Sequence, residues 1–358
     1  MNAATLDRER LETFEHQLID TLNRGALCLM ISIGHRTGLF DALAEAGQVD
    51  AAALAQRAGL HERYVTEWLG AMVTGGIVDH DAQTGTYELP AEHAQVITRS
   101  GEENLAVFAQ YIPEFASNED AILTCFREGG GLGYEHFPRF HEIMEEESAQ
   151  SVLPALREHI FPLVPGLIDR LERGIHVIDV GCGRGRALNE LATWFPNSRF
   201  TGYDLSEASI RYARDTAAAR GLENVGFHAL DAARIGEVEP EGGTDLVVTF
   251  DAVHDQADPD AVAAGIRHAL ADDGVYLAQD IDASSSHHGD LDHPLGPFVY
   301  TASCLHCMTV SLAADGAGYG AMWGRERARD LFRRAGFRDV EVHKLEHDPV
   351  GVFYVCRP

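Results

Sequence analysis

At 358 residues and 45% apolar content, the chain is long enough for two packed cores rather than one. Its formal charge of −28, with Lys344 the sole lysine, repels nucleic acid and anionic membranes. No run of 18 apolar residues marks a membrane span, the charged start MNAATLDRERLETFEHQ is not a signal peptide, and six scattered cysteines argue against a disulfide framework, so a cytoplasmic protein is expected.

Residues 6–49 carry apolar positions at helical spacing, Leu11, Phe14, Leu18 and Leu22 among them, and then the apolar run ALCLMISIGHRTGLFDAL. This predicts two consecutive helices. From Asp50, VDAAALAQRAGLHERYVTEWLGAMVTGGIV reads as a capped helix, a turn at Gly59, a second helix and a Gly75-Gly76 stop, and DHDAQTGTYELP as a short hairpin turning at Thr84-Gly85. Residues 1–100 are thus a helical, winged-helix-like domain. Its second helix offers one reliable cation, Arg63, where phosphate binding needs several, so dimerisation or walling the substrate suits it better than DNA binding. Residues 101–173 read as linking helices interrupted by the glycine-rich GGGLGYEHFP.

From residue 174 short apolar runs alternate with amphipathic helices, the pattern of a parallel sheet covered on both faces. The strands end at or just before Asp179, Asp204, Asp231, Asp251 and Asp280. Carboxylates at the C-terminal ends of such strands face the crevice where open α/β sheets bind ligands. In VIDVGCGRGRAL, Gly181, Gly183 and Gly185 lie between a strand and a helix, where backbone must approach a ligand closely. Nicotinamide-binding domains share such a turn, but Asp179 directly before it suits a ligand bearing an ammonium and a sulfonium and disfavours a pyrophosphate. Asp204, 19 residues beyond Gly185, is suited to ribose hydroxyls, and Asp231 to an adenine amino group.

The segments VIDVGCGRGRAL, FTGYDLS, HALDA and TDLVVTFDAV resemble motifs one to four of class I S-adenosylmethionine-dependent methyltransferases, and the end of the chain resembles the closing helix and antiparallel hairpin of that fold. The resemblance implies a doubly wound, Rossmann-like α/β domain over 174–358, with a seven-stranded, mostly parallel sheet whose last strand is antiparallel. It also implies S-adenosyl-L-methionine as cofactor, with Asp179, Gly181, Cys182 and Gly183 around its methionine portion, Asp204 and Leu205 around the ribose, Asp231 and Ala232 around the adenine, and Asp251 at the fourth strand end.

The cofactor supplies an electrophilic methyl, so the protein must align a nucleophile and, where needed, take its proton. FDAVHDQADPDAV places His254 and Asp255 on the loop after the fourth strand, and a histidine titrating near neutrality suits that task. The segment resembles the histidine-aspartate stretch of winged-helix O-methyltransferases of small molecules, in which that histidine is the general base. Gln256 departs from the tryptophan usual there, and His254 as a purely structural, loop-ordering residue stays open. Asp255 or Asp282 is the expected orienter.

By the same resemblance GLGYEHFPRFHEIM folds over the cofactor, making Tyr134, Phe137 and Met144 candidate contacts, with interhelical packing as the alternative. A long insertion at 283–324 offers Phe298, Tyr300, Met308 and Trp323 to roof an acceptor pocket, and Cys304, His306 and Cys307 as polar members. The spacing C-L-H-C raises a metal, but neighbours on a regular helix cannot all point at one ion and no second cysteine pair exists, so no metal is expected. The reading is a homodimeric methyltransferase acting on a small-molecule oxygen. Transfer to a thiol, sulfide or metalloid, with Cys304 and Cys307 near the methyl, or a cofactor-sensing transcription regulator, are the alternatives.

Overall fold

The computed structural model describes residues 6–358. Residues 1–5, the start of the expected N-terminal domain, lie outside the described residues. The chain divides into two compact units, Met1–Ala116 and Ser117–Pro358.

In the first unit one helix runs from Arg8 to Thr37 and breaks at Gly38, which adopts φ 73°, before a second helix, Leu39–Ala46. Two helices were expected, but the break lies later than the change in hydrophobicity. Gly25, inside the first helix, costs only about 1 kcal/mol against alanine and does not stop it. The helix pair Ala51–Ala58 and Glu62–Thr74 follows, with Asp50 Oδ1 accepting the Ala53 N–H at 2.8 Å and Gly59 turning the chain at φ 67°. The hairpin β1 (Asp79–Asp81) and β2 (Thr86–Glu88) is the wing. Phe40 and Trp68 meet edge to face at 5.0 Å in the core of this unit, and the Trp68 indole N–H donates to the Met30 carbonyl at 2.9 Å. Of the segment expected to link the domains, residues 101–116 fall in the first unit and residues 117–173 in the second.

The second unit is built on strands β3 (His176–Val180), β4 (Arg199–Asp204), β5 (Val225–Ala229), β6 (Thr244–Phe250), β7 (Leu270–Ile281), β8 (Asp339–Leu345) and β9 (Asp348–Arg357), in the order β5-β4-β3-β6-β7-β9-β8. β9 runs antiparallel to β7 and β8, and the other neighbours are parallel. The chain leaves β3 toward β4 and β5, then returns to β6 on the other side, so the switch in strand order lies between β3 and β6. Open α/β sheets bind ligands at the C-terminal strand ends beside such a point. Each face of the sheet carries its own apolar core, one around Val177, Leu188, Phe200 and Leu246, the other around Ile178, Val247, Ile266 and Phe332. The insertion forms a nearly continuous helical stretch, Gly296–Ala302, a π-helical turn at Ser303–Cys307, and Met308–Ala313.

The turn leaving β3 is closed to a side chain at Gly181. Gly181 adopts φ 81°, and a Cβ there would lie 2.4 Å from the Ala252 Cβ. Gly181→Ala is expected to lower unfolding stability by about 1–3 kcal/mol. Denaturant titration checks this; an unchanged midpoint would contradict it.

Candidate active site at the carboxyl ends of the sheet

Register brings the strand-end carboxylates to one edge. Asp179 on β3 pairs with Gly202 on β4 and Val248 on β6, so Asp204 and Asp251 lie just beyond on either side. Asp204 Oδ2 accepts the Gly183 N–H at 2.9 Å and its Oδ1 the Ser206 N–H at 2.8 Å, which clamps the glycine turn to β4. Asp179 is buried, its Oδ1 has no hydrogen-bond partner, and burial together with the Asp204 charge pushes its carboxyl up to about 7. An unpartnered buried carboxylate beside a second one fits a ligand that brings a cation and hydroxyl donors.

The remaining expected cofactor contacts surround this point. Cys182 is packed tightly enough that a Cβ on Gly202 would sit 2.8 Å from its sulfur, and burial and the two aspartates push its thiol well up, which keeps it neutral. Leu205 is exposed, Asp231 Oδ1 caps the Ala233 N–H at 3.0 Å, and Ala232 is buried beside it. Asp251 takes a positive φ of 49°, a strained conformation for a residue with a side chain.

His254 is buried with both ring nitrogens facing carboxylates: Nδ1 lies 2.8 Å from Asp280 Oδ1 and Nε2 3.1 Å from Asp255 Oδ1. Burial pulls the imidazole pKa down, but the charges of Asp280 and Asp255 outweigh it and hold the value well above 6.5. Asp255 is itself kept below the usual carboxylate range, since its burial is outweighed by His254 and the Cys307 thiol. Asp280 on β7 is therefore the partner of Nδ1. Asp282, an expected orienter, instead pairs with Arg325 at 3.1 Å and with Lys344.

Above this cluster the Tyr134 hydroxyl donates to Asp255 Oδ2 at 3.3 Å. His306 is buried, stacks on Phe140 at 3.5 Å between centroids and meets Phe137 edge-on at 4.7 Å; burial drives its pKa down to about 4, so it is neutral. Cys307 is buried beside His254 and Asp255, with its thiol pushed up to about 12 by burial and by Asp255. The π-helical turn lets the adjacent His306 and Cys307 reach the same place, a geometry that regular helical spacing does not suggest. Arg184 on the glycine turn pairs with Glu145 at 2.7 Å, tying the helix Phe140–Ser148, and with it Met144, to the cofactor edge.

The glycine-rich loop before Tyr134 is explained by contact: a Cβ on Gly131 would lie 2.0 Å from the Thr309 carbonyl oxygen, and the Leu132 N–H donates to Thr309 Oγ1 at 2.9 Å. Phe298 packs on the cluster of Val299, Cys307 and Met322. Tyr300 packs on the same cluster, and its hydroxyl donates to Asp290 Oδ2 at 2.8 Å. One expected roof residue is placed elsewhere: Trp323 is 1% exposed in the core around Ile178 and Tyr354, stacked on Tyr319. Met308 is half-buried, with its Cβ against the Gly320 turn. Sequence reasoning missed Asp280 as the imidazole partner, and missed Arg184, Phe140 and Thr309 altogether; nothing in local spacing marks these three.

A winged helix-turn-helix domain described as Rv2258c-like matches residues 25–99, and a methyltransferase domain matches residues 171–316. The chain is 29% identical over 201 residues to nocamycin O-methyltransferase of Saccharothrix syringae, spanning 53% of this chain and 69% of that one. It is 34% identical over 125 residues to aklanonic acid methyltransferase DauC of Streptomyces sp. strain C5, 34% of this chain and 55% of that one. Its fold is that of the mitomycin 7-O-methyltransferase MmcR, with TM-score 0.70 at 18% identity over 98% of this chain and 100% of that one. Human N-acetylserotonin methyltransferase, solved with S-adenosylmethionine, superposes with TM-score 0.66 at 19% identity, over 100% and 99% of the two chains. With the glycine turn and the strand-end aspartates, these likenesses make residues 171–316 a methyltransferase domain and residues 25–99 a winged helix-turn-helix domain, on a fold shared with small-molecule O-methyltransferases.

Proposed function

We propose that the enzyme methylates an oxygen of a small molecule, with His254 as general base. The observation that carries this reading is the His254–Asp280 bond at the end of β6, one loop away from the glycine turn. The O-methyltransferases among its relatives support oxygen as the acceptor atom. When bound, S-adenosylmethionine supplies a sulfonium methyl already electrophilic enough for direct displacement. Asp179, Asp204, Leu205, Asp231 and Ala232 hold it along the strand ends. Asp280 fixes the ring of His254 so that Nε2 is the working nitrogen, and an acceptor hydroxyl displaces Asp255 from that nitrogen and gives it the proton. Tyr134 holds the freed carboxylate, and neutral His306 with Phe137 and Phe140 walls the site against water.

The enzyme is taken to be cytoplasmic; among the described residues no helix is long and apolar enough to cross a membrane. The winged helix is assigned to dimerisation. Phe14, Leu18, Leu22, Leu29 and Ile33 are exposed on the helix Arg8–Thr37, which suits a second copy of the chain. Arg63 pairs with Glu67 on its own helix, so no net positive face is offered to phosphate.

Four outcomes test this reading. Asp204→Ala weakens S-adenosylhomocysteine binding in calorimetry by at least about tenfold, as befits loss of charged hydrogen bonds worth about 1.5–3 kcal/mol; unaltered affinity would move the ribose site. His254→Ala lowers kcat by about 10²- to 10⁴-fold on an acceptor found by screening phenols and carboxylic acids. Because the base must be deprotonated and its pKa is raised, the acid limb of the wild-type rate profile lies above pH 6.5. Removing an anion in Asp280→Asn lowers that pKa and shifts the limb to lower pH; a shift upward would refute the pairing. Leu18→Glu with Leu22→Glu yields a monomer in sedimentation, whereas an unchanged dimer would place the interface elsewhere.

A further inference from the structure

The buried thiol of Cys307 has no task in the methyl transfer just described, yet it belongs to a mixed donor cluster. One ligand atom each from His254, Asp255 and Cys307 lie within 4.8 Å of one another. Donors around a tetrahedral ion with bonds of 2.0–2.3 Å are spaced about 3.5 Å apart, so small side-chain shifts would close these three on one ion. We propose that His254 Nε2, Asp255 Oδ1 and Cys307 Sγ bind one divalent ion of the zinc type, which competes with the acceptor's proton for the same imidazole nitrogen.

The surroundings are those of a metal site. Asp280, 2.8 Å from Nδ1, sets the tautomer that turns the Nε2 lone pair inward, the carboxylate–histidine arrangement that orients metal-bound imidazoles. Tyr134 donates to Asp255 Oδ2 and leaves Oδ1 facing the cluster. A nitrogen, an oxygen and a sulfur donor select zinc over magnesium or calcium, and three protein ligands leave a fourth position open. A second grouping, Asp251, His254 and Asp280, uses no sulfur and meets the imidazole where Asp280 already holds Nδ1, so the Nε2 side is the better site. Cys304, only half-buried, lies outside both groupings, so of the two cysteines in C-L-H-C only Cys307 joins the cluster.

The ion site stands on donor geometry alone; the competition with the acceptor rests on the proposed base. The test uses the full chain after chelator treatment, titrated with Zn²⁺ by calorimetry and with Co²⁺ by absorption. Expected are one equivalent bound and a near-ultraviolet thiolate-to-cobalt band that Cys307→Ser abolishes. Zn²⁺ affinity falls at least about tenfold in both Cys307→Ser and His254→Ala, stays unchanged in Cys304→Ser, and S-adenosylhomocysteine binding reports that each variant is folded. No stoichiometric ion, or binding indifferent to Cys307→Ser, would overturn the site. Zn²⁺ is expected to inhibit methyl transfer in proportion to occupancy; stoichiometric binding through Cys307 without inhibition would keep the site and refute His254 as the base.

Discussion

Carboxylates crowded at one edge of a parallel sheet are the constraint on which the rest of this enzyme depends. β3, β4, β6 and β7 end at or beside Asp179, Asp204, Asp251 and Asp280, and parallel pairing holds those ends together. Their mutual repulsion adds to burial and raises the carboxyls of Asp179 and Asp251. The fold answers several of the charges here locally: backbone N–H groups for Asp204, the imidazole of His254 for Asp280 and Asp255, Arg325 and Lys344 for Asp282. Asp179 Oδ1 and Asp251 Oδ1 have no hydrogen-bond partner, and in the proposed function a cofactor carrying an ammonium and a sulfonium answers Asp179. The same imbalance that costs stability in the free protein thus favours binding of a cation at the switch point.

The loops follow from the same edge. Tyr134 is held over Asp255, and the loop that carries it lies against the helix Met308–Ala313 because Gly131 has no side chain to keep it away. Arg184 leaves the glycine turn, stacks on Tyr212 at 3.7 Å and pairs with Glu145. The helix Phe140–Ser148 and the glycine turn are therefore tied by a partly buried ion pair.

Much of this was legible in the sequence because it obeys short-range rules. The glycine turn, the strand-helix alternation and the aspartates are fixed within a few residues of chain, and so were Asp50, Gly59 and the wing. The failures are long-range. That Asp280 rather than Asp282 meets His254 depends on how β7 sits beside β6: the pairing of Phe250 with Gln279 sets Asp280 at the end of β6, whereas Asp282 lies past the last residue of β7. Trp323 was expected in the pocket because it is a large apolar residue in an unpatterned insertion, and it packs in the core instead. The π-helical turn that brings His306 and Cys307 together has no sequence signature, so the C-L-H-C run looked like a helix whose neighbours diverge.

The most direct test of the central claim is the titration of His254 itself, followed by ¹⁵N NMR of histidine-labelled protein with His254→Gln identifying the signal. A buried imidazole held between two carboxylates titrates well above 6.5, and on deprotonation keeps its proton on Nδ1, facing Asp280. A His254 signal that titrates at or below 6.5, or whose neutral form carries the proton on Nε2, would contradict the arrangement from which the proposed chemistry is drawn.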